Sequence, residues 1–316
     1  MYKNRKIAVV IPAYNEQLLL PETITGLPEY LDKIIIINDC SKDNTSEVIK
    51  EFSKKDNRII AINHETNKGL GQSLIDGYVY SLKLDIDITV VMAGDNQMDP
   101  NDLPNLLDKI VIDGYDYAKG NRLLHKNIDA MPRYRFLGNS LLTLLTKFAT
   151  GYYFSMDPQC GYTAIKNKVL SKIPIISMTK GYGYNADILC MLNIQGFSVS
   201  DVEVKPIYDR EKSKIRLWSY IPKTSYLLIK LFLKRIWQRY TILDFHPLVL
   251  FYYFSFFNIL FIILPGSIRF FYLYFNYNEF PSTTFIILSM TFLVTIQSFL
   301  FGVWLDMDYN KTLNKK

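Results

Sequence analysis

Residues Ile88–Pro100 read ITVVMAGDNQMDP. A run of β-branched and apolar residues ends abruptly in oxygen and amide side chains. A buried parallel strand delivers ligands to the carboxyl edge of an open α/β sheet in this way. Asp95 and Gln97 lie two apart, so in an extended segment they point the same way and both reach one hard cation. Such a cation needs anionic company, and a nucleoside diphosphate is the natural supplier. Taken alone, the stretch is equally a polar turn after a core strand.

Its surroundings decide between the two. Lys6–Ile11 (KIAVVI) runs into Pro12-Ala13-Tyr14-Asn15-Glu16, and Lys33–Ile37 (KIIII) runs into Asn38-Asp39-Cys40-Ser41-Lys42-Asp43. Both runs are strand-like in length and composition. Helix-period segments follow at Leu18–Tyr30 and Thr45–Lys54, then a third strand at Ile59–Asn63 and its helix at Gly69–Leu82. This alternation predicts a Rossmann-like α/β fold with a parallel sheet and right-handed crossovers. The polar clusters after the first, second and fourth strands then converge on one edge. There Tyr14 suits stacking on a base, and Asn15 and Glu16 suit its edge or the ribose. Asp39 is either an acceptor for ribose or base, or a turn aspartate. Asp43 caps the helix that begins at Thr45, and Asp99 before Pro100 caps the next. Gly69 and Gly71, behind Lys68, open a helix whose N-terminus favours anions; tight-turn glycines are the alternative.

The C-terminal third belongs to a different solvent. His246–Pro265 and Ser282–Leu305 contain no Asp, Glu, Lys or Arg, and about 20 such residues cross a bilayer core. The segment between them, with Arg269, Asn276, Asn278 and Glu279, reads as an aromatic-rich interfacial loop. Lys223, Lys230, Lys234, Arg235 and Arg239 precede the first span, and Lys311, Lys315 and Lys316 follow the second. The positive-inside rule therefore predicts both termini in the cytoplasm. Trp218–Gln238 reads as an amphipathic helix on the membrane surface. Met1–Lys6 leads straight into the first strand, without a signal peptide. The organisation expected is a catalytic domain over 1–215, juxtamembrane helices over 216–244, and a transmembrane hairpin with a short tail over 245–316. The net charge of +6, clustered beside the apolar spans, fits an anionic lipid surface and not nucleic acid. Cys40, Cys160 and Cys190 show no metal spacing and read as free thiols.

Five pieces, IPAYNE (11–16), INDCSKDNT (37–45), NKGLGQSLIDGY (67–78), AGDNQMDP (93–100) and KGNR (119–122), stand in this order over roughly the first 210 residues. As an ordered set they resemble family 2 glycosyltransferases of the GT-A fold, and more narrowly the polyprenyl-phosphate glycosyltransferases, including dolichol-phosphate mannose synthases. The resemblance implies an inverting, metal-dependent transfer of a sugar from a UDP- or GDP-sugar to undecaprenyl or dolichyl phosphate. It implies a nucleotide-sugar site at Pro12, Tyr14, Asn15, Glu16, Asp39, Lys68, Gly69, Gly94, Asp95 and Asn96, and Mg²⁺ or Mn²⁺ on Asp95 and Gln97. One position departs from the family: Ala93 stands where the first acidic residue of Asp-X-Asp is common.

On the acceptor side, Arg122, Arg133 and Arg135 are candidates for a phosphate clamp, since a guanidinium fork suits phosphate. Asp157, in DPQCGY (157–162), is expected with Asp95 and Arg122 among the catalytic residues, as a base or as the residue that orients an arginine. Asp187 is the competing base. Arg210, Ser213 and Lys214 read as a loop closing on the diphosphate, or as a juxtamembrane charge cluster. The rival functions are transfer to another lipid or glycan, and a catalytically degenerate scaffold. A processive polysaccharide synthase is disfavoured by the lack of Gln-X-X-Arg-Trp. A homo-oligomer is compatible with these residues.

Overall fold

The computed structural model describes residues 1–124, 133–181, 183–205, 207, 217–277 and 280–314; of 133–139 and 217–221 it describes the backbone only. The chain forms two compact units, Met1–Arg235 with Thr312–Lys316, and Ile236–Lys311.

The first unit is built on a seven-stranded sheet. Its strands are β1 (Ile7–Ala13), β2 (Lys33–Asn38), β3 (Ile59–Asn63), β4 (Ile88–Val91), β5 (Tyr117–Asn121), β6 (Thr163–Lys166) and β7 (Val199–Glu203), in the order β3-β2-β1-β4-β6-β5-β7. All neighbours are parallel except β6, which runs against both β4 and β5. Helices α1 (Leu20–Thr25), α2 (Thr45–Lys55), α3 (Leu70–Ser81) and α4 (Leu103–Val111) follow the first four strands. Then come α5 (Arg133–Thr150), α6 (Asn167–Leu170), α7 (Tyr184–Ile194) and α8 (Leu217–Trp237). The pleat sorts the strand residues between two cores. Val9, Ile11, Ile34, Ile36 and Val90 face one, and Ala8, Val10, Ile35, Ile37 and Val91 face the other. A sheet covered on both faces needs apolar residues at every strand position, which is why its strands read as unbroken runs. A third cluster joins Ala149 of α5 and Ala186, Cys190 and Ile194 of α7 to Leu228 and Leu231 of α8.

The sheet order puts the carboxyl ends of β1, β2, β3, β4, β5 and β7 on one edge. Because β6 is reversed, its amino end lies on that edge too. The order turns at β1, between β2 and β4, where ligands bind in open α/β sheets.

The second unit contains α9 (Leu248–Asn258), α10 (Leu264–Tyr277) and α11 (Ser282–Asn310). Two helices, Leu248–Tyr277 and Ser282–Leu313, are long and apolar enough to cross a membrane. The first outruns its expected end at Pro265, and Arg269 and Asn276 lie in helix rather than in an interfacial loop. A proline ring inside an α-helix clashes with the carbonyl four residues back. Here the turn before it, Ile259–Ile263, is a π-helix in which the Leu264 N–H reaches Ile259 O. The widened turn admits the ring and the helix continues. Seven residues of this unit form a polar knot: Tyr240 Oη donates to Asp306 Oδ1, and Asn310 Nδ2 donates to Tyr240 Oη at 2.7 Å. Tyr309 Oη donates to Asp244 Oδ2 at 2.7 Å, the Arg239 guanidinium lies over the rings of Tyr240 and Tyr309, and His246 packs against Tyr309.

Candidate active site

The loop after β1 and the loop after β2 are stitched together by short polar side chains. Asn15 N donates to Ser41 Oγ at 3.0 Å, and Lys42 N donates to Asn15 Oδ1 at 2.8 Å. Glu16 N donates to Thr45 Oγ1 at 2.9 Å, and Asn44 N donates to Gln17 Oε1 at 2.9 Å. Asp43 accepts from Thr45 N, as a capping aspartate does, and also from Gln17 N. With their backbones held this way, Tyr14 and Asn15 are exposed at the edge, and Pro12 and Glu16 are half-buried. Non-glycine residues with positive φ concentrate here: Asn15 (+58°), Cys40 (+59°), Asn96 (+58°) and Asp157 (+46°). Such conformations persist where surrounding contacts over-determine them, and they cluster at ligand sites.

Of the two readings open for Asp39, acceptor for ribose or base or turn aspartate, its surroundings match the turn aspartate. It is only 4% exposed, and both carboxylate oxygens are engaged inside the protein. Oδ1 accepts the Lys68 N–H and Oδ2 the Gly69 N–H, each at 2.8 Å, and His64 Nδ1 lies 2.7 Å from Oδ1. Burial pushes the carboxyl pKa upward, but the bonds from His64 and from the two backbone N–H groups outweigh it and hold it below the usual carboxylate range. Asp39 thus fixes the turn at Lys68–Gly69, where Lys68 is exposed. Gly69 takes φ +87°, which a side chain would resist. Gly71 is glycine for a packing reason and not for a ligand: an added Cβ would stand 2.2 Å from Thr179 O. Its N–H donates to Lys180 O at 2.8 Å, so one donor of the α3 N-terminus is already spent.

At the end of β4 the chain turns through Gly94-Asp95-Asn96. Gly94 O accepts Thr23 Oγ1 at 3.3 Å, Asn96 Nδ2 donates to Glu22 Oε2 at 2.9 Å, and Asp95 Oδ1 accepts the Gln97 N–H at 3.1 Å. Asp99 accepts Asn101 N at 2.9 Å and is the expected cap. Among the described residues no group of three or more His, Cys, Asp or Glu is placed to hold a metal ion. The donor set at this turn is one half-buried carboxylate and one amide oxygen. Those are hard ligands of the kind Mg²⁺ and Mn²⁺ take when a diphosphate and water complete the shell, so the residues fit.

The acceptor side is organised by ion pairs. Arg122 follows β5, and Asp157 holds its guanidinium by two bonds, Nε to Oδ2 at 2.7 Å and Nη2 to Oδ1 at 2.9 Å. The Arg122 N–H adds a third bond to Oδ2 at 3.1 Å. Burial raises the Asp157 carboxyl pKa, but Arg122, and beyond it Lys119, more than compensate and keep it below the ordinary range. A buried carboxylate clamped on a guanidinium orients that arginine and is a poor proton acceptor, so of the two roles expected for Asp157 the structure gives the orienting one. Asp187, the competing base, is held by α7 beside Thr179, with Lys234 Nζ 4.0 Å from its Oδ1. It is 4% exposed, and its Oδ2 accepts both Thr179 N and Thr179 Oγ1.

Arg133 and Arg135 lie on the first turn of α5, and their side chains are outside the described residues, as are Arg210, Ser213 and Lys214 altogether. Two positioning groups escaped sequence reasoning. Asp201 on β7 gathers Lys119 Nζ (3.2 Å), Asn121 Nδ2 (2.9 Å), Ser155 Oγ (2.8 Å) and Met156 N (2.6 Å), and so fixes the loop that carries Asp157. His64 is the other. For Asp201 the local signal was a charged residue on β7; its partners, 45 to 82 residues away, left no trace in local sequence.

Comparison with known proteins gives this edge its chemistry. A family model described as glycosyl transferase family 2 matches residues 8–173, more than half of the chain. A UDP-N-acetylglucosamine–dolichyl-phosphate N-acetylglucosaminyltransferase of Methanococcus voltae is 31% identical over 219 residues, covering 65% of this chain and 87% of that protein. A polyprenol monophosphomannose synthase of Mycolicibacterium smegmatis is 28% identical over 205 residues, covering 63% and 77%. Among solved structures, glucosyl-3-phosphoglycerate synthase of Mycobacterium tuberculosis with Mn²⁺, UDP and glucosyl-3-phosphoglycerate superposes with a TM-score of 0.53 at 19% identity, covering 73% of this chain and 80% of that one. At that identity the likeness speaks for the fold alone. The matched region contains every strand that carries the donor-side loops, together with Arg122 and Asp157, and the chain belongs to glycosyl transferase family 2, a glycosyltransferase of the GT-A fold.

Proposed function

We propose that this chain transfers a sugar from a nucleoside-diphosphate sugar to a polyprenyl phosphate, undecaprenyl or dolichyl, at the cytoplasmic face of a membrane. One observation carries the reading: a family 2 site and two largely unburied apolar helices of spanning length occur on one chain. A soluble acceptor gives no reason for that pairing. The polyprenol and dolichyl-phosphate acceptors in the relatives' names support it. So do α5 and α8, which contain no Asp or Glu. Leu141, Leu144 and Leu145 of α5 and Tyr226, Ile229 and Leu233 of α8 are exposed, with Lys223 and Lys230 exposed on α8. Basic helices with an apolar stripe bind anionic bilayers.

In this mechanism the nucleoside lies along Tyr14, Asn15 and Glu16, and the diphosphate lies toward Lys68 and Asp95. Asp95 and Gln97 would hold Mg²⁺ or Mn²⁺, whose charge would offset that of the leaving diphosphate. Arg122, aimed by Asp157, binds the acceptor phosphate. An acceptor phosphate oxygen forms the new bond to the anomeric carbon as the bond to the diphosphate oxygen breaks, a single displacement that inverts the centre. A phosphate monoester is largely ionised near neutral pH, with a second pKa of about 6, so the step needs no strong general base. Catalysis rests on positioning and on charge stabilisation.

The test is transfer from a panel of radiolabelled UDP- and GDP-sugars to undecaprenyl or dolichyl phosphate in membranes, with Mg²⁺ or Mn²⁺. UDP-sugars come first, following the Methanococcus voltae relative's name. A solvent-extractable labelled lipid is expected from one donor. Donor hydrolysis without a lipid product would move the acceptor to another lipid or glycan. Neither transfer nor nucleotide binding would favour the scaffold reading that Ala93 suggests.

A further inference from the structure

His64 sits at the carboxyl end of β3, buried, with a carboxylate on each side of its ring. Nδ1 is 2.7 Å from Asp39 Oδ1, and Nε2 is 2.9 Å from Asp76 Oδ2. Asp39 ends β2 and accepts the N–H groups of Lys68 and Gly69. Asp76 lies on α3 and accepts Gln72 Nε2 at 3.0 Å. One imidazole therefore joins β2, β3, α3 and the turn that opens α3. Here both ring nitrogens are engaged, each by a carboxylate from a different element.

We infer that His64 is a positioning residue of the donor site: by bridging Asp39 and Asp76 it ties the Lys68–Gly69 turn to the body of α3 and sets the grip on the nucleoside diphosphate without touching it. The inference rests on the donor site proposed above. Asp39 at 4% exposure offers a ligand little, whereas Lys68 beside it is exposed. Without His64, Asp39 keeps its two backbone donors but loses its tie to α3, and Gly69 at φ +87° has no side chain to restrain it. The effect on the donor reaches it only through the turn, and about a tenfold loss, about 1.4 kcal/mol, is the scale expected.

The experiment measures UDP and GDP binding, and transfer kinetics, for the full chain in nanodiscs. His64→Ala is expected to raise the nucleotide Kd and the donor KM about tenfold, with kcat and the acceptor KM within about threefold. His64→Arg, which can donate to two carboxylates, is expected to restore donor binding, and His64→Asn, with one donor nitrogen, is not. Asp76→Asn, at a partly exposed position, moves the donor KM the same way by a smaller factor and decides the matter should the alanine variant fail to fold. An unchanged donor KM in His64→Ala, an arginine variant that melts like wild type yet fails to rescue, or an equal rise in donor and acceptor KM overturns the inference. Failure of the wild type to bind either nucleotide overturns the donor site itself, and the inference with it.

Discussion

Strands β1, β2 and β4 hide valine and isoleucine and leave polar residues for their ends, whereas α9 and α11 do the reverse. Ser255, Asn258, Thr295, Ser298, Asp306 and Asn310 are buried in the second unit, while Phe254, Phe257, Leu260, Phe292, Leu293 and Leu300 face outward. The first unit has its apolar residues inside, and the second turns apolar residues outward along two helices long and apolar enough to cross a membrane. Buried hydroxyls and amides in the second find partners close by: Ser255 Oγ donates to Phe251 O at 2.8 Å, Ser298 Oγ to Phe251 O at 3.1 Å, and Thr295 Oγ1 to Thr291 O at 2.7 Å. Where no water is at hand, each polar group must be satisfied within the structure. The same residue types therefore do different work in the two units. At the sheet edge buried carboxylates such as Asp39 and Asp157 hold the loops while Tyr14 and Lys68 stay exposed, and between the helices the polar side chains are consumed internally.

The sharpest test of the first half of this contrast is Asp95→Ala. It is expected to lower turnover about a hundredfold or more while circular dichroism and membrane insertion stay unchanged. Unaltered turnover would remove Asp95 from the site. For the second half, Leu293→Arg puts a charge on an outward position of α11, at a cost of about 3 kcal/mol in a bilayer. Most of the variant should then be recovered outside the membrane fraction; a protein that stays membrane-bound would mean that this face does not meet lipid. Gly71→Ala forces Thr179 and Lys180 away from α3 and should cost about 1–3 kcal/mol, read as a lower Tm. Asp306→Ala takes away the group that Tyr240 and Asn310 bond, a loss of about 1–3 kcal/mol measurable by unfolding in detergent.

The smallest effect concerns pH. Asp39 and Asp157 both have carboxyl pKa values held below the usual range in the fold. Their contribution is therefore present above the unfolded value of about 3.9 and is lost as pH falls through the lower folded values. The Tm should change little between pH 7 and about 5 and drop below about 4. Asp157→Asn should flatten the part of that drop due to Asp157.

Much of this was readable in the chain. The strands of the parallel half, the cap at Asp99 and the exposed Tyr14 follow from local pattern, because each depends on neighbours a few residues away; at α2 the cap position falls on Asn44, one residue past Asp43. Asp39 has two readings in the sequence because a strand-end aspartate looks the same whether ligand or protein takes its oxygens; its partners lie 25 to 30 residues on. The reach of the first long helix was underread because Pro265 ordinarily stops a helix, and the π turn that admits it has no residue signature of its own. The hub at Asp201 joins segments 45 to 82 residues apart, and only the tertiary fold brings them together.

The reversed strand β6 has a consequence for how such a chain diversifies. Since β5 leaves the sheet at the ligand edge and β6 re-enters there, with Lys119 paired to Thr163 and Gly120 N bonded to Tyr162 O at 2.7 Å, the stretch from Arg122 to Tyr162 is a cassette with both ends anchored at one seam. Within it Ala149 packs against α7 and α8, Tyr152 enters the second core cluster, and Ser155 and Met156 are bonded to Asp201. A chimera cut at Asn121 and Thr163 therefore has to keep those inward faces, and only the residues that turn away from them are free to vary.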